Sequence, residues 1–224
     1  MTNKLPIIIF FGDPGAGKGT QAEILAEKLN FKRISTGDLI RAEMKAKSRL
    51  AERIKPFYNA GKPAPNKIVD QLVEKRIKEL TTDKELKGIV FDTFPFDDEQ
   101  SAFLDLITPK YNLDLPIIFW IDVPDEEILK RLGGRLICTK CNKIYREVEL
   151  VENAKCSSCG GDLAKRADDN EKTIKQRIAV YKKAEAEHRD YYKKLKNWFD
   201  INGDQPVDGV SAEIWFHLKP LIKF

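Results

Sequence analysis

Two stretches of this 224-residue chain carry residue types whose spacing implies chemistry. The first is GDPGAGKGT (12–20), which follows the apolar run Leu5–Phe11 and leads into QAEILAEKL, a helical pattern. Glycines let a backbone wrap phosphates with its N–H groups, and the N-terminus of the following helix adds partial positive charge. A lysine at the end of such a loop reaches the outer phosphates. Lys18 takes that role here, with Gly15, Ala16, Gly17, Gly19 and Thr20 forming the cradle. The strict pattern has Ser or Thr directly after the lysine, whereas Gly19 comes before Thr20. A glycine-rich turn without a ligand is the plainer alternative, but strand, loop, lysine and helix in this order point to a bound triphosphate.

The second stretch holds all four cysteines: CTKC (138–141), fourteen residues, then CSSC (156–159). Two C-x₂-C knuckles offer Cys138, Cys141, Cys156 and Cys159 as four thiolates, the closed tetrahedral set of a structural zinc site. Disulfides and unligated thiols are the alternatives. Four sulfur ligands leave no open position for a catalytic water, so the metal would be a staple. Residues 134–169, about 36 of them, are too few to bury an adequate core, and units below roughly 40 residues usually need a metal or disulfide.

The elements that must position these stretches follow from apolar pattern. Leu5–Phe11, Phe31–Ser35, Gly88–Asp92, Pro116–Val123 and Trp198–Asn202 look like buried strands. Helical stretches lie between them, such as Ile68, Leu72, Val73, Ile77 and Leu80 at three- and four-residue spacing. Alternating strands and helices imply an α/β fold with a parallel five-stranded sheet flanked by helices. The longest helix is expected over Asp169–Leu195, with His188 and an aromatic stripe packed on one face. Residues 134–169 interrupt this rhythm with cysteines, glycines and polar residues.

The net charge of +4 allows acidic ligands but does not argue for a surface that coats nucleic acid. A zinc-ribbon nucleic-acid binder would also leave the phosphate loop unexplained. No apolar run approaches the roughly 18 residues of a membrane span, and no signal-peptide pattern follows the first strand. A cytoplasmic protein with reduced thiols is expected, with neither nucleic acid nor membrane as partner.

The Gly15–Thr20 ending, G-A-G-K-G-T, resembles that of the adenylate kinase family of nucleoside monophosphate kinases. Further segments are similar in the same order: ISTGDLIR (34–41), AGKPAPNKIV (60–69), IDVPDEEILKRLGGR (121–135) and KRADDNEKTIKQR (165–177). The resemblance implies a P-loop NTPase-type core at 1–34, 65–133 and 170–224. It places a helical monophosphate-binding segment at 35–64 and a zinc-stapled lid at 134–169. It implies reversible phosphoryl transfer from Mg-ATP to a nucleoside monophosphate, AMP above all, by a monomer carrying Mg²⁺ with its ATP and structural Zn²⁺. Catalytic positions carried over are Lys18, Asp92 near Mg²⁺, and Arg135, Arg166 and Arg177 on phosphates. Arg131 would lie on the ATP base, and Ile144, Tyr145 and the backbone of Gln205 would line the ATP site. On the acceptor side the matching positions are Thr36, Arg41, the strip Lys62, Pro63 and Ala64, Thr93, Gln100, Arg166 and Arg177. Arg131 and Arg135, four apart, would share a face if both were helical. The acceptor is already an oxyanion, so such a reaction needs no general base and rests on positioning and charge neutralisation.

Two features depart from the family pattern. Asp13 puts a negative charge in the phosphate loop. The family's D-G-F-P-R-T-x-x-Q is DTFPFDDEQ (92–100) here, with Thr93 for the glycine and Phe96 for an arginine that pairs with the acceptor phosphate. Phe96 cannot make that pair, and Asp97 and Asp98 would repel a phosphate if they pointed inward. Weakened acceptor binding is the expectation, with a degenerate nucleotide binder or a kinase for another acceptor as alternatives.

Overall fold

The computed structural model describes residues 4–60, 62–147, 154–166, 169 and 171–222, and only the backbone of residues 171, 172, 185, 186 and 188. The expected packing of His188 therefore lies outside the described side chains. In chain order the first elements are β1 (Ile7–Phe11), α1 (Lys18–Leu29), β2 (Lys32–Ser35), α2 (Thr36–Ala46), α3 (Arg49–Asn59) and α4 (Asn66–Leu80). There follow β3 (Ile89–Asp92), α5 (Asp98–Ile107), β4 (Ile117–Asp122), α6 (Asp125–Gly133), β5 (Arg135–Cys138) and β6 (Ile144–Arg146). The last are β7 (Leu163–Lys165), α7 (Glu171–Tyr192), β8 (Trp198–Asn202) and α8 (Val207–Leu218).

β1 is buried along its whole length, IIIFF, which suits only a strand covered on both faces. The side chains alternate accordingly. Ile7, Ile9 and Phe11 join a core with Val73, Phe91 and Tyr192, while Ile8 and Phe10 join a second core with Leu25, Phe119 and Ile214. Each fully buried Ile or Phe contributes roughly 1.5–3 kcal/mol through burial. The five expected strands form one parallel sheet in the order β2-β3-β1-β4-β8, in agreement with the α/β reading. The chain leaves β1 toward β2 and β3 on one side and later fills β4 and β8 on the other. The end of β1 is thus the switch point at which open α/β sheets bind ligands.

Gly12 makes that exit possible. Its φ is +132°, and a Cβ there would sit 2.3 Å from the carbonyl oxygen of Ile121 on β4. Any side chain would clash with backbone.

Residues 135–165 hold a separate three-stranded antiparallel sheet, β6-β5-β7. α6 stops at Gly133 and is capped by Gly134. Arg135 consequently opens β5, and the shared helical face expected for Arg131 and Arg135 does not form. The paired glycines end the helix two residues before Arg135. α7 spans Glu171–Tyr192, somewhat shorter than the expected 169–195. Among the described residues no helix is long and apolar enough to cross a membrane.

Candidate active site

A cavity of about 290 Å³ opens beyond the ends of β1 and β3, on the scale of small-molecule sites. The phosphate loop contributes Gly15, Gly17, Lys18, Gly19 and Thr20 to its wall. Ala16 lies behind them, 2% exposed, its N–H donating to the Asp13 carbonyl at 3.1 Å. Gly17, with φ +102°, starts α1 without a side-chain cap, and the first turn carries no acid. That leaves amide N–H groups and the positive end of the helix for an anion. Lys18 Nζ donates to the carbonyls of Gly12 at 2.7 Å and Asp13 at 2.8 Å. Burial lowers the Lys18 pKa to about 8, against the opposing pull of Asp92 and Asp13, with Arg177 and Arg135 pushing the same way as burial.

The opposite wall comes from α2, the stretch before α4, and the end of β3. Thr36 donates to the Thr93 carbonyl at 3.1 Å. Arg41 Nη2 meets Asp38 Oδ1 at 2.5 Å, and Arg33 Nη2 meets Asp38 Oδ2 at 2.5 Å. Burial alone would raise the Asp38 pKa; Arg41 and Arg33 outweigh it, with a further pull from Arg166, and hold the carboxyl below its usual range. Arg33 Nη1 also meets Asp92 Oδ2 at 2.9 Å. Lys62, Pro63, Ala64, Thr93 and Gln100 line the same wall. Gln100 is 2% exposed and is engaged by Asn66 and by the Phe96 N–H.

The third wall comes from the smaller sheet and its flanks. Arg135 grips Asp169 with Nε and Nη2 at 2.6 and 2.5 Å, and Arg177 Nη1 reaches the same carboxylate at 3.3 Å. The Asp169 side chain is 2% exposed. Arg131 is fixed by Glu127 at 2.8 Å and by the Gly203 carbonyl at 3.0 Å. Ile144, Tyr145 and Arg166 complete this wall. Gln205 is not part of the cavity lining; its amide bonds the Asn202 carbonyl at 2.8 Å and Glu213 at 2.7 Å, beside the Gly203 carbonyl that holds Arg131.

The result is a cavity with two lysines and seven arginines around it and no histidine or cysteine among its lining residues. Such a site suits transfer between phosphates, where charge neutralisation and alignment dominate. Residues 10–197 match the adenylate kinase family. The adenylate kinase of Methanocella arvoryzae is 38% identical over 215 residues, covering 95% of this chain and 98% of that protein. That of Archaeoglobus fulgidus is 34% identical over 209 residues, 92% of this chain and 95% of that protein. That of Petrotoga mobilis is 34% identical over 218 residues, 96% and 99% respectively. The chain belongs to the adenylate kinase family. It is a nucleoside monophosphate kinase, a phosphotransferase, as the loop ending implied.

Within this adenylate kinase fold, three residues of the carboxyl-arginine contacts were not among the sequence-derived candidates: Asp38 and Asp169, which hold the cavity's arginines in place, and Arg33, which bridges Asp38 and Asp92. Asp38 and Asp169 lay inside the ISTGDLIR and KRADDNEKT segments, so their motif context could have flagged them. Arg33 directly precedes the first of these, and only its position at the end of a strand beside Asp92 marks it. The family departures also have definite places. Phe96 packs edge-on against Tyr181, ring centroids 4.8 Å apart. Asp97 caps α5 by accepting from Gln100 N at 2.9 Å, and it accepts from Asn66 at 2.8 Å, so it is turned toward α4. Asp97 and Asp98 are not among the lining residues of the main cavity. Thr93 holds φ +64°, a conformation that costs a β-branched residue strain and explains why glycine suits the position.

The four cysteine sulfurs lie within 4.8 Å of one another, with Cys138–Cys159 and Cys141–Cys156 each 3.5 Å apart and no disulfide among them. A tetrahedron of Zn–S bonds of about 2.3 Å has sulfur edges of about 3.8 Å, so the set fits zinc. The Tyr145 hydroxyl donates to Cys156 Sγ at 3.2 Å and lowers that thiol to about 6, favouring the thiolate a metal needs. Magnesium prefers one or two carboxylates plus phosphate oxygens, and Asp92, 7% exposed beside Gly19, fits that demand.

The buried lysine has a measurable signature. Its pKa falls on folding, so the unfolded chain binds more protons between about pH 8 and 10.5. Stability from this group therefore rises with pH in that window. Relative to Lys18→Met, the wild type should gain on the order of 2 kcal/mol between pH 8 and 10. Urea titrations of both proteins at each pH measure this; parallel curves would contradict the buried-ammonium assignment.

Proposed function

We propose that the protein transfers the terminal phosphoryl group of Mg-ATP reversibly to AMP, giving two ADP, with acceptor binding weakened by Phe96. The observation that carries the reading is that Lys18 and the Arg33–Asp38–Arg41 cluster face one cavity. Donor and acceptor phosphates would thus meet between the loop of α1 and the start of α2. Residues 35–64 would form the monophosphate segment and 134–169 the lid, with the remainder as core.

In this scheme the loop amides of Gly15–Thr20 and Lys18 hold the donor phosphates. Arg131, with Ile144, Tyr145 and the backbone near Gln205, borders the base of ATP. Arg135, Arg166 and Arg177 draw in around the transferring group and neutralise its charge. Thr36 and Arg41 hold the acceptor phosphate, and the strip Lys62–Ala64, Thr93 and Gln100 border its base. Asp92 would hold Mg²⁺, which supplies Lewis-acid neutralisation of phosphate oxygens when bound. Zinc on the four cysteines would keep the lid stiff enough to close as a unit and exclude water from the reacting phosphates. A stiff lid matters because an open site spends ATP on hydrolysis. The arginines gathered around the cavity and the family membership support an enzyme acting on nucleotides, proposed here as a monomer with neither nucleic acid nor membrane as partner.

Lys18→Met should abolish turnover, because a point charge at the transferring phosphate is lost. A coupled assay with ATP and AMP measures this, and near-normal turnover would overturn the scheme.

Phe96 should raise the KM for AMP, since a charge-assisted contact worth roughly 1.5–3 kcal/mol is missing, about ten- to a hundredfold in affinity. Phe96→Arg should recover part of that loss with ATP little affected. If the variant leaves AMP affinity unchanged or worse, the site serves another acceptor. If neither protein turns over any monophosphate, it is a nucleotide binder.

Purified protein should contain one zinc per chain, and removing it should lower both stability and turnover. Elemental analysis with a thiol titration decides: no metal and four reactive thiols would refute the staple.

A further inference from the structure

We propose that Arg33 is a ligand of the acceptor phosphate, taking the monophosphate between itself and Arg41. The inference deepens the kinase reading above and rests on it. One carboxylate, Asp38, separates the two guanidiniums: Arg33 Nη2 holds one oxygen and Arg41 Nη2 the other, each at 2.5 Å. If Arg41 meets the phosphate, Arg33 is one carboxylate's width away.

The place of Arg33 between the two substrates supports this. A Cβ on Gly19, in the first turn of α1, would lie 3.2 Å from Asp92 Oδ2 and 3.6 Å from Arg33 Nη1. The same guanidinium reaches Asp38 in the first turn of α2. Arg33 therefore spans from the donor loop to the acceptor segment, and it lines the cavity with its side chain 24% exposed. A phosphomonoester carries nearly two negative charges at neutral pH, and the planar fork of arginine matches its oxygens in pairs. Phe96, on the same wall, is turned onto Tyr181 and brings no charge.

A purely architectural arginine is the competing account, because Arg33 joins β2 to Asp92 at the end of β3. Those strands are already paired in register from Lys32↔Ile89 to Ser35↔Asp92, so the ladder holds them together. The contact to Asp38 adds nothing to that ladder. Two guanidiniums drawn to one carboxylate at the cavity wall are better explained by an incoming dianion, which can replace Asp38 and Asp92 as the partner.

Calorimetric titration of the full-length protein with AMP, without ATP or Mg²⁺, tests the proposal. Arg33→Gln should weaken AMP binding by about tenfold or more while ATP binding stays within about twofold. Arg33→Lys should recover part of the affinity by keeping the charge. In steady state the loss should fall on the KM for AMP more than on kcat. AMP affinity within about twofold of wild type in Arg33→Gln would overturn the proposal. So would an equal fall for AMP and ATP with a lowered melting temperature, the mark of a lost structural bridge. A wild type that binds no AMP overturns the AMP reading and this one together, whereas AMP turnover by wild type with a silent Arg33→Gln overturns this one alone.

Discussion

The interaction on which the site depends is the sharing of single carboxylates between pairs of arginines. Asp38 holds Arg33 and Arg41, and Asp169 holds Arg135 and Arg177. Cations gathered around one cavity repel one another strongly when partly removed from water. Without anions among them the walls would be pushed apart before a substrate arrived. A carboxylate split between two guanidiniums orients both and saturates neither. Buried ion pairs gain little net stability after desolvation, so exchanging a carboxylate for a phosphate dianion costs little. On the proposed reading, these carboxylates keep the arginines aimed until a phosphate takes their place.

The fold supplies the convergence that this scheme needs. β1 ends at the switch point of the sheet, and Gly12 lets the chain turn past the Ile121 carbonyl without a clash. β3 ends beside it at Asp92, and β2 ends at Ser35, which caps α2. Three strand ends therefore deliver the loop lysine, the Asp92 carboxylate and the start of α2 to one edge. The smaller sheet brings Arg135 and Arg146, and the flanking α6 and α7 bring Arg131 and Arg177. Its strands are short, and of the four cysteines Cys138 and Cys156 are buried while Cys141 and Cys159 are exposed, so a metal held by all four would add the stiffness its small core lacks.

Much of this was legible because it is local. The glycines and lysine of the loop, the cysteine knuckles and the all-apolar strand IIIFF carry their meaning within a few residues, and the sheet follows from the alternation. What failed was inference across an element boundary. Arg131 and Arg135 looked like helical neighbours, but Gly133 and Gly134 end α6 and place Arg135 on a strand. Arg33 and Asp92 are 59 positions apart and meet only because β2 and β3 pair, which no local pattern encodes. Asp169 is likewise 34 positions from Arg135. Charge partnership at such separations is a product of the tertiary fold, so the candidates were found as individual cations and not as the shared pairs that hold them.

The departures at Thr93 and Phe96 show how a segment can keep its place while changing its chemistry. Thr93 adopts the left-handed conformation that glycine would take freely, and its carbonyl still accepts from Thr36. The strain of order 1–3 kcal/mol is tolerated because neighbouring contacts over-determine the backbone. Phe96 then follows in a position fixed by its N–H to Gln100 and turns onto Tyr181. The Tyr181 ring lies 5.4 Å from Lys18 Nζ. An aromatic pair beside a buried ammonium excludes water from it and adds attraction to the ring face. An uncharged ring at position 96 therefore comes with a drier environment for Lys18. Phe96 and Lys18 are linked through the Tyr181 ring, so on the proposed reading a change at either ring would be felt on both the donor and the acceptor side.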